Sequence, residues 1–139
     1  MYVDTSVIVA MLTDEPKTQA CKDWFNALTL APMSGDWLVT EFYSAITLKQ
    51  RIGQLRDKDV KATLHQFEHL INNGGIKLMP IARETFAKAG KLTYQYSNTR
   101  AGDALHLGVA MQCEVKAFAT LDMAQAASAK QLGFEVVTI

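Results

Sequence analysis

The chain opens Met1-Tyr2-Val3-Asp4-Thr5-Ser6 and continues as Val7-Ile8-Val9-Ala10-Met11-Leu12. Residues 1–4 read as a very short buried β-strand with a carboxylate at its C-terminal end, and Val7–Leu12 as the start of a short helix. A strand this short is expected at the centre of a sheet, where both faces find partners. Central parallel strands are apolar throughout and end at the sheet edge that carries ligands. A carboxylate left at that edge is costly unless something pairs with it. The rest of the chain is therefore expected to bring further carboxylates there, and with them a cation.

Downstream, short apolar strands alternate with helical patterns. Asp14-Glu15-Pro16 reads as a helix start, followed by Ala20, Trp24, Phe25 and Leu28 at helical spacing and ended by Pro32. Met33-Ser34 reads as a second strand. Asp36 is expected to cap a helix reaching about Arg51, with Leu38, Phe42, Ala45 and Ile46 inward and Gly53 closing it. Residues 58–72 form another helical pattern, with Val60, Leu64, Phe67 and Ile71 as its apolar stripe, broken by Asn72-Asn73-Gly74-Gly75. Ile76–Met79 is the third strand, and residues 82–96 a helix carrying Phe86, Ala89, Leu92 and Tyr96. Ala101–Gln112 is a helix, residues 116–120 the fourth strand, and residues 122–132 a helix capped by Gly133. Residues 134–139 are the fifth strand. The alternation predicts an α/β domain with parallel strands, one domain over residues 1–139.

Four acids stand out by position. Asp4 ends strand one, and Glu41 lies in the second turn of the helix after strand two. Asp103 lies in the first turn of its helix, and Asp122 follows strand four. Strand C-terminal ends and the helix N-terminal turns that follow share one edge of a parallel α/β sheet, so these acids are expected to converge. Four anions in one place raise each other's pKa, and a hard divalent cation relieves the repulsion. Mg2+ or Mn2+ suits oxygen ligands and phosphate substrates, and no His or Cys cluster accompanies the four acids to suggest zinc. Such a cation at a sheet edge points to phosphoryl chemistry. Taken singly, Asp36, Asp103 and Asp122 also read as ordinary helix-start residues.

Lys+Arg and Asp+Glu number 14 each, so net charge does not advertise a polyanionic partner. Between residues 49 and 61, however, Lys49, Arg51, Arg56, Lys58 and Lys61 face only Asp57 and Asp59. The longest apolar run, Val7–Leu12, is far short of a membrane span, and Asp4 comes early with no basic stretch before an apolar one. A cytoplasmic protein with no membrane contact is expected, with Cys21 and Cys113 reduced.

Four segments carry a resemblance when taken as an ordered set. Val3-Asp4-Thr5-Ser6-Val7-Ile8, Val39-Thr40-Glu41-Phe42-Tyr43-Ser44-Ala45, the run Arg100-Ala101-Gly102-Asp103-Ala104-Leu105-His106-Leu107-Gly108-Val109-Ala110, and Ala119-Thr120-Leu121-Asp122 together resemble the PIN domain. Within it, the chain is most similar to the VapC-type toxins of bacterial toxin–antitoxin pairs. The resemblance implies a three-layer, Rossmann-like α/β/α sandwich with a five-stranded parallel sheet in the order 3-2-1-4-5. It implies a Mg2+- or Mn2+-dependent endoribonuclease that hydrolyses RNA phosphodiester bonds, with tRNA or ribosomal RNA as usual target. It also implies a cognate antitoxin protein and a homodimer. The catalytic set carried over is Asp4, Glu41, Asp103 and Asp122, with Asp4, Asp103 and Asp122 as metal ligands. Thr5, Ser6 and Thr120 are placed to hydrogen-bond carboxylates or phosphate, though turn and cap bonding explains them equally. Arg100 is placed either to meet a phosphate or to form a structural salt bridge. His106, one turn after Asp103, is expected to be a packed, hydrogen-bonded scaffold residue. Met123 and Ala124 stand where some PIN domains have an extra acid. Gly102 departs from the more common residue in a way expected to be harmless.

Two rival readings remain open from the sequence. His65-Gln66-Phe67-Glu68-His69 matches the H-x-x-E-H pattern of inverted zinc peptidases, but falls on a polar helix face beside the apolar stripe. Alternatively, the acidic pocket belongs to a non-catalytic Mg2+-binding or RNA-binding PIN-like module.

Overall fold

A computed structural model describes residues 1–139. Five strands, β1 (Tyr2–Val3), β2 (Met33–Gly35), β3 (Lys77–Met79), β4 (Ala117–Ala119) and β5 (Glu135–Val137), form one sheet in the order β3-β2-β1-β4-β5. Every pairing is parallel. The two-residue strand β1 is central, in register with Met33 on one side and with Phe118 and Ala119 on the other. Seven helices connect the strands: α1 (Thr5–Leu12), α2 (Thr18–Asn26), α3 (Trp37–Arg51), α4 (Asp57–Asn72), α5 (Arg83–Gln95), α6 (Ala101–Gln112) and α7 (Met123–Gln131).

The pleat of the two central strands divides the core. Val3 and Ala119 point to one face and pack with α1, α3 and α4 through Val7, Ile8, Leu38, Phe42, Ile46 and Phe67. Tyr2 and Phe118 point to the other and pack with α5, α6 and α7 through Leu92, Leu107, Val109 and Ala129. This alternation is the period-two rule of a strand applied to both faces of a buried sheet, and it produces the three-layer sandwich. Stacked rings reinforce each layer, Tyr2 on Phe118 at 5.2 Å and Phe42 on Phe67 at 4.0 Å between centroids. No helix is long and apolar enough to cross a membrane.

Several local expectations differ from the structure for identifiable reasons. Asp36 precedes α3 but its backbone is already helical and its side chain makes no capping bond. Helix α2 begins at Thr18 rather than at Pro16, because Thr18 Oγ1 accepts from the Glu15 N–H and ties the preceding turn. Its buried residue is Cys21, while Ala20 is exposed. In α5 the inward face is Thr85, Ala89 and Leu92, and Phe86 is 54% exposed. The close approach of α6 explains this. A Cβ at Gly108 would lie 3.1 Å from Thr85 Cγ2 and 3.7 Å from Ala89 Cβ, so the contact accepts only small side chains and turns Phe86 outward.

Candidate active site

Asp4, the residue after β1, is 4% exposed and is also the N-cap of α1. Its Oδ2 accepts from the Ser6 N–H at 3.2 Å, Ser6 Oγ at 2.5 Å and Thr120 Oγ1 at 2.9 Å. With the Gln125 amide oriented so that its nitrogen faces the acid, Nε2 also donates to Asp4 Oδ2 at 2.9 Å and Oδ1 at 3.1 Å. A buried carboxylate with this many donors is held in one orientation. The capping requirement of α1 and the end of the central strand thus fix the same side chain.

The other three acids arrive as the topology requires. Asp122 caps α7, its Oδ1 accepting from the Gln125 N–H at 2.9 Å. Asp103 reaches back from the first turn of α6 to the Arg100 N–H at 3.3 Å. Glu41 points from α3 toward His106, whose Nε2 lies 2.7 Å from Glu41 Oε2 and 3.5 Å from Asp4 Oδ1. All four acids line one open cavity of about 400 Å3, together with Thr5, Ser6, Glu15, Val9, Ala45 and Leu121. Asp4, Glu41 and His106 each bring one potential ligand atom within 4.8 Å of the others, and Asp103 and Asp122 lie outside that tight group.

Charge crowding shows in the titration behaviour. Burial pushes the Asp103 carboxyl above its ordinary pKa, and the negative charges of Asp122, Asp4 and Glu41 push it the same way against the Arg100 N–H bond. Burial would also raise Glu41, but the hydrogen bond and positive charge of His106, followed by the Thr5 hydroxyl, hold it below the usual carboxylate range. Burial alone would lower His106, yet the Glu41 bond and the charges of Asp4, Glu41 and Asp103 hold it above its ordinary value.

His106 is fully buried, as a scaffold histidine should be. Tyr2 Oη lies 2.7 Å from its Nδ1 and accepts from the Gly35 N–H at 3.0 Å. Tyr2 Oη donates to Nδ1 of the neutral ring or accepts from the imidazolium. In both forms Nε2 carries a hydrogen and donates to Glu41. That nitrogen is therefore not free as a metal ligand. Gly35 is needed here, because a Cβ would come 3.1 Å from Val109 in α6. Burial keeps the Tyr2 phenol protonated far above its ordinary pKa.

The remaining site residues divide clearly. Thr120 Oγ1 contacts Asp4, Ser6 and Gln125 and accepts from the Asp122 N–H at 3.0 Å. Ser6 Oγ also accepts from the Leu121 N–H at 3.0 Å. Thr5 Oγ1 lies 3.1 Å from His106 Nε2. Arg100 is exposed and makes no ion pair, so the salt-bridge alternative is not realised. Gly102 is not a neutral position: a Cβ there would lie 2.8 Å from Glu41 Oε1 and 3.3 Å from Trp37 Nε1, a buried N–H without a hydrogen-bond partner. His65, Glu68 and His69 are exposed on α4 and form no three-ligand group, and Glu68 accepts instead from Tyr43 Oη at 2.5 Å.

Nothing in the pattern of residues marks Tyr2 or Trp37 as part of the site. Gln125 carried a usable signal, since it stands three residues after a capping Asp, where a glutamine side chain faces back across the helix start.

A family model described as the PIN domain matches residues 1–138. No curated protein matches the sequence. Among solved structures, Mycobacterium tuberculosis VapC20, described as a sarcin-ricin loop cleaving toxin, is similar at 14% identity and a TM-score of 0.71, covering 91% of this chain and 93% of that one. FitAcB from Neisseria gonorrhoeae is similar at 20% identity and 0.70, covering 99% and 96%. FitAB bound to an IR36 DNA fragment is similar at 21% and 0.68, covering 98% and 92%. At these identities the likeness is one of fold.

Proposed function

The chain belongs to the PIN domain family, and from that premise we propose that it is a Mg2+- or Mn2+-dependent endoribonuclease toxin, with residues 1–139 acting as one domain. The observation that carries the reading is the convergence of Asp4, Glu41, Asp103 and Asp122 on one cavity at the C-terminal edge of a parallel sheet. The donors fit a hard cation: they are carboxylate oxygens, the nearby imidazole nitrogen is committed to Glu41, and Asp103 is under negative strain that a cation removes.

Asp4, Asp103 and Asp122 would hold the metal. When bound, it neutralises charge on the scissile phosphate and acidifies water. Glu41 Oε2 is engaged by His106, leaving Oε1 to orient the attacking water and take its proton. The water oxygen forms a new P–O bond in line with the P–O3′ bond, which breaks with its electron pair on O3′, and the departing O3′ takes a proton from solvent. The products are a 5′-phosphate and a 3′-hydroxyl. Arg100, unpaired and one turn from Asp103, is available to the phosphate. Ser6, Thr120 and Gln125 keep Asp4 in register.

VapC20's description as a sarcin-ricin loop cleaving toxin supports RNA as the substrate class. A cognate antitoxin covering the acidic cavity, a cytoplasmic site of action and a homodimer belong to the same reading. The test is cleavage of purified total RNA with Mg2+ or Mn2+, with EDTA, and by an identically prepared Asp4→Ala variant. Discrete metal-dependent fragments absent from both controls are expected. If antitoxin-free protein binds Mn2+ but leaves RNA intact, the site is that of a non-catalytic module.

A further inference from the structure

The acidic cavity has a fifth carboxylate, Glu15, which also lines an adjoining cavity of about 470 Å3 with Lys49, Gln54 and Leu55. Beyond Gln54 and Leu55 the groove continues past Asp14 to Lys22 and to Arg56, which pairs with Asp59. The basic stretch in residues 49–61 thus begins at the mouth of the proposed active site. Along α3, Glu41 and Ala45 line the acidic cavity and Lys49 follows on the same face, about 12 Å from Glu41 at helical rise. A lysine so placed is too far away to touch the phosphate being cleaved and well placed for a neighbouring one.

Lys49 is held in place. Its side chain is 18% exposed, and Nζ lies 2.8 Å from Glu15 Oε1 and donates to Gln54 Oε1 at 3.3 Å. The Glu15 loop does not need that ion pair for its shape. The Glu15 N–H donates to Thr18 Oγ1, the Thr18 hydroxyl reaches the Ala10 and Thr13 carbonyls, and Thr13 Oγ1 donates to the Val9 carbonyl. Helix α3 is anchored by the buried Leu38, Phe42 and Ile46. The pair therefore aligns an ammonium beside the cavity and leaves it exchangeable.

We infer that Lys49 binds an RNA phosphate flanking the scissile one, and that Glu15 holds it poised at the cavity mouth until RNA displaces the carboxylate. This rests on the endoribonuclease reading. It makes a prediction of sign that a purely structural ion pair does not. Removing the lysine weakens RNA binding, whereas removing the carboxylate frees the lysine, deletes an anion from the groove and tightens binding. A structural pair would give both losses the same sign.

The experiment is fluorescence anisotropy with a labelled single-stranded RNA of mixed sequence and Mg2+, in an Asp103→Asn background, at several salt concentrations. Total-RNA cleavage by the parent protein is measured alongside. One lost phosphate contact on a single strand lowers the salt slope by about 0.7, so a fourfold rise in salt should cost the Lys49 parent about 2.6-fold more affinity than Lys49→Gln. Lys49→Arg should restore the slope, and Glu15→Gln should bind more tightly than the parent. Unchanged affinity and slope in Lys49→Gln, or equal weakening by Glu15→Gln, overturns the inference. If the parent cleaves RNA under either of these results, only Lys49's role falls. If it neither cleaves nor binds RNA, the nuclease reading falls with it.

Discussion

Tyr2→Phe tests how the site is held. The substitution keeps the ring stacked on Phe118 and removes only the hydroxyl, which meets His106 Nδ1 at 2.7 Å and the Gly35 N–H at 3.0 Å in a fully buried setting. Each orphaned buried partner costs about 1–3 kcal/mol, and relief from burying the hydroxyl returns about as much as one of them. The expected net loss is about 1–3 kcal/mol, which for a chain of this size is a fall in Tm of about 3–10 °C. Differential scanning calorimetry and urea titration measure it. Cleavage should fall by about 10–100-fold, because the imidazole that aims Glu41 loses its own anchor. Nitrogen NMR of the parent supplies an independent check, with a hydrogen on His106 Nε2. A stability change below about 0.5 kcal/mol, or an Nε2 without hydrogen, would refute the proton arrangement assigned to the chain Tyr2–His106–Glu41.

Other outcomes are equally specific. In metal-free protein Asp103 has a raised folded-state pKa, so its relative stabilisation is present below its unfolded pKa and lost as pH rises through the folded value. Asp103→Asn should therefore abolish cleavage yet make metal-free protein more stable than the parent at neutral pH, which thermal melts across pH would show. For Glu41 and His106 the signs differ. Stability from the depressed Glu41 pKa is lost as pH falls through it, that from the raised His106 pKa is lost as pH rises through it, and Glu41→Gln should flatten both edges. Mg2+ or Mn2+ at 100 times its dissociation constant should stabilise the parent by about 2.7 kcal/mol, and Asp4→Ala should erase that shift. Gly102→Ala should leave Tm nearly unchanged while slowing cleavage, since the added methyl meets the movable Glu41 carboxylate; wild-type cleavage would show that Glu41 works from another rotamer.

The central strand and the four acids were readable because their physical reasons are local. A carboxylate closing an apolar strand is conspicuous, and parallel topology carries the others to the same edge. What supports them was hidden because it depends on long-range placement. Nothing in the sequence pairs Tyr2 with His106 or Glu15 with Lys49, and Phe86 is helical and apolar yet excluded by the tight α5–α6 contact. Asp36 shows the opposite failure: a residue with the right chemistry for a cap stands where the backbone has already turned helical.

The central strand is synthesised long before β4, one of its two neighbours, with β2, β3 and six helices between them in the chain. The Thr120 hydroxyl that steadies Asp4 lies 116 residues from it, and Asp122 and Gln125 come later still. Such distant pairing forms late. During translation the chain therefore carries most of its acids but no assembled cavity, and a product truncated before β4 has an open sheet edge beside Asp4. For a protein proposed to cut RNA, this topology delays the hazard until β4 and the start of α7 have been made.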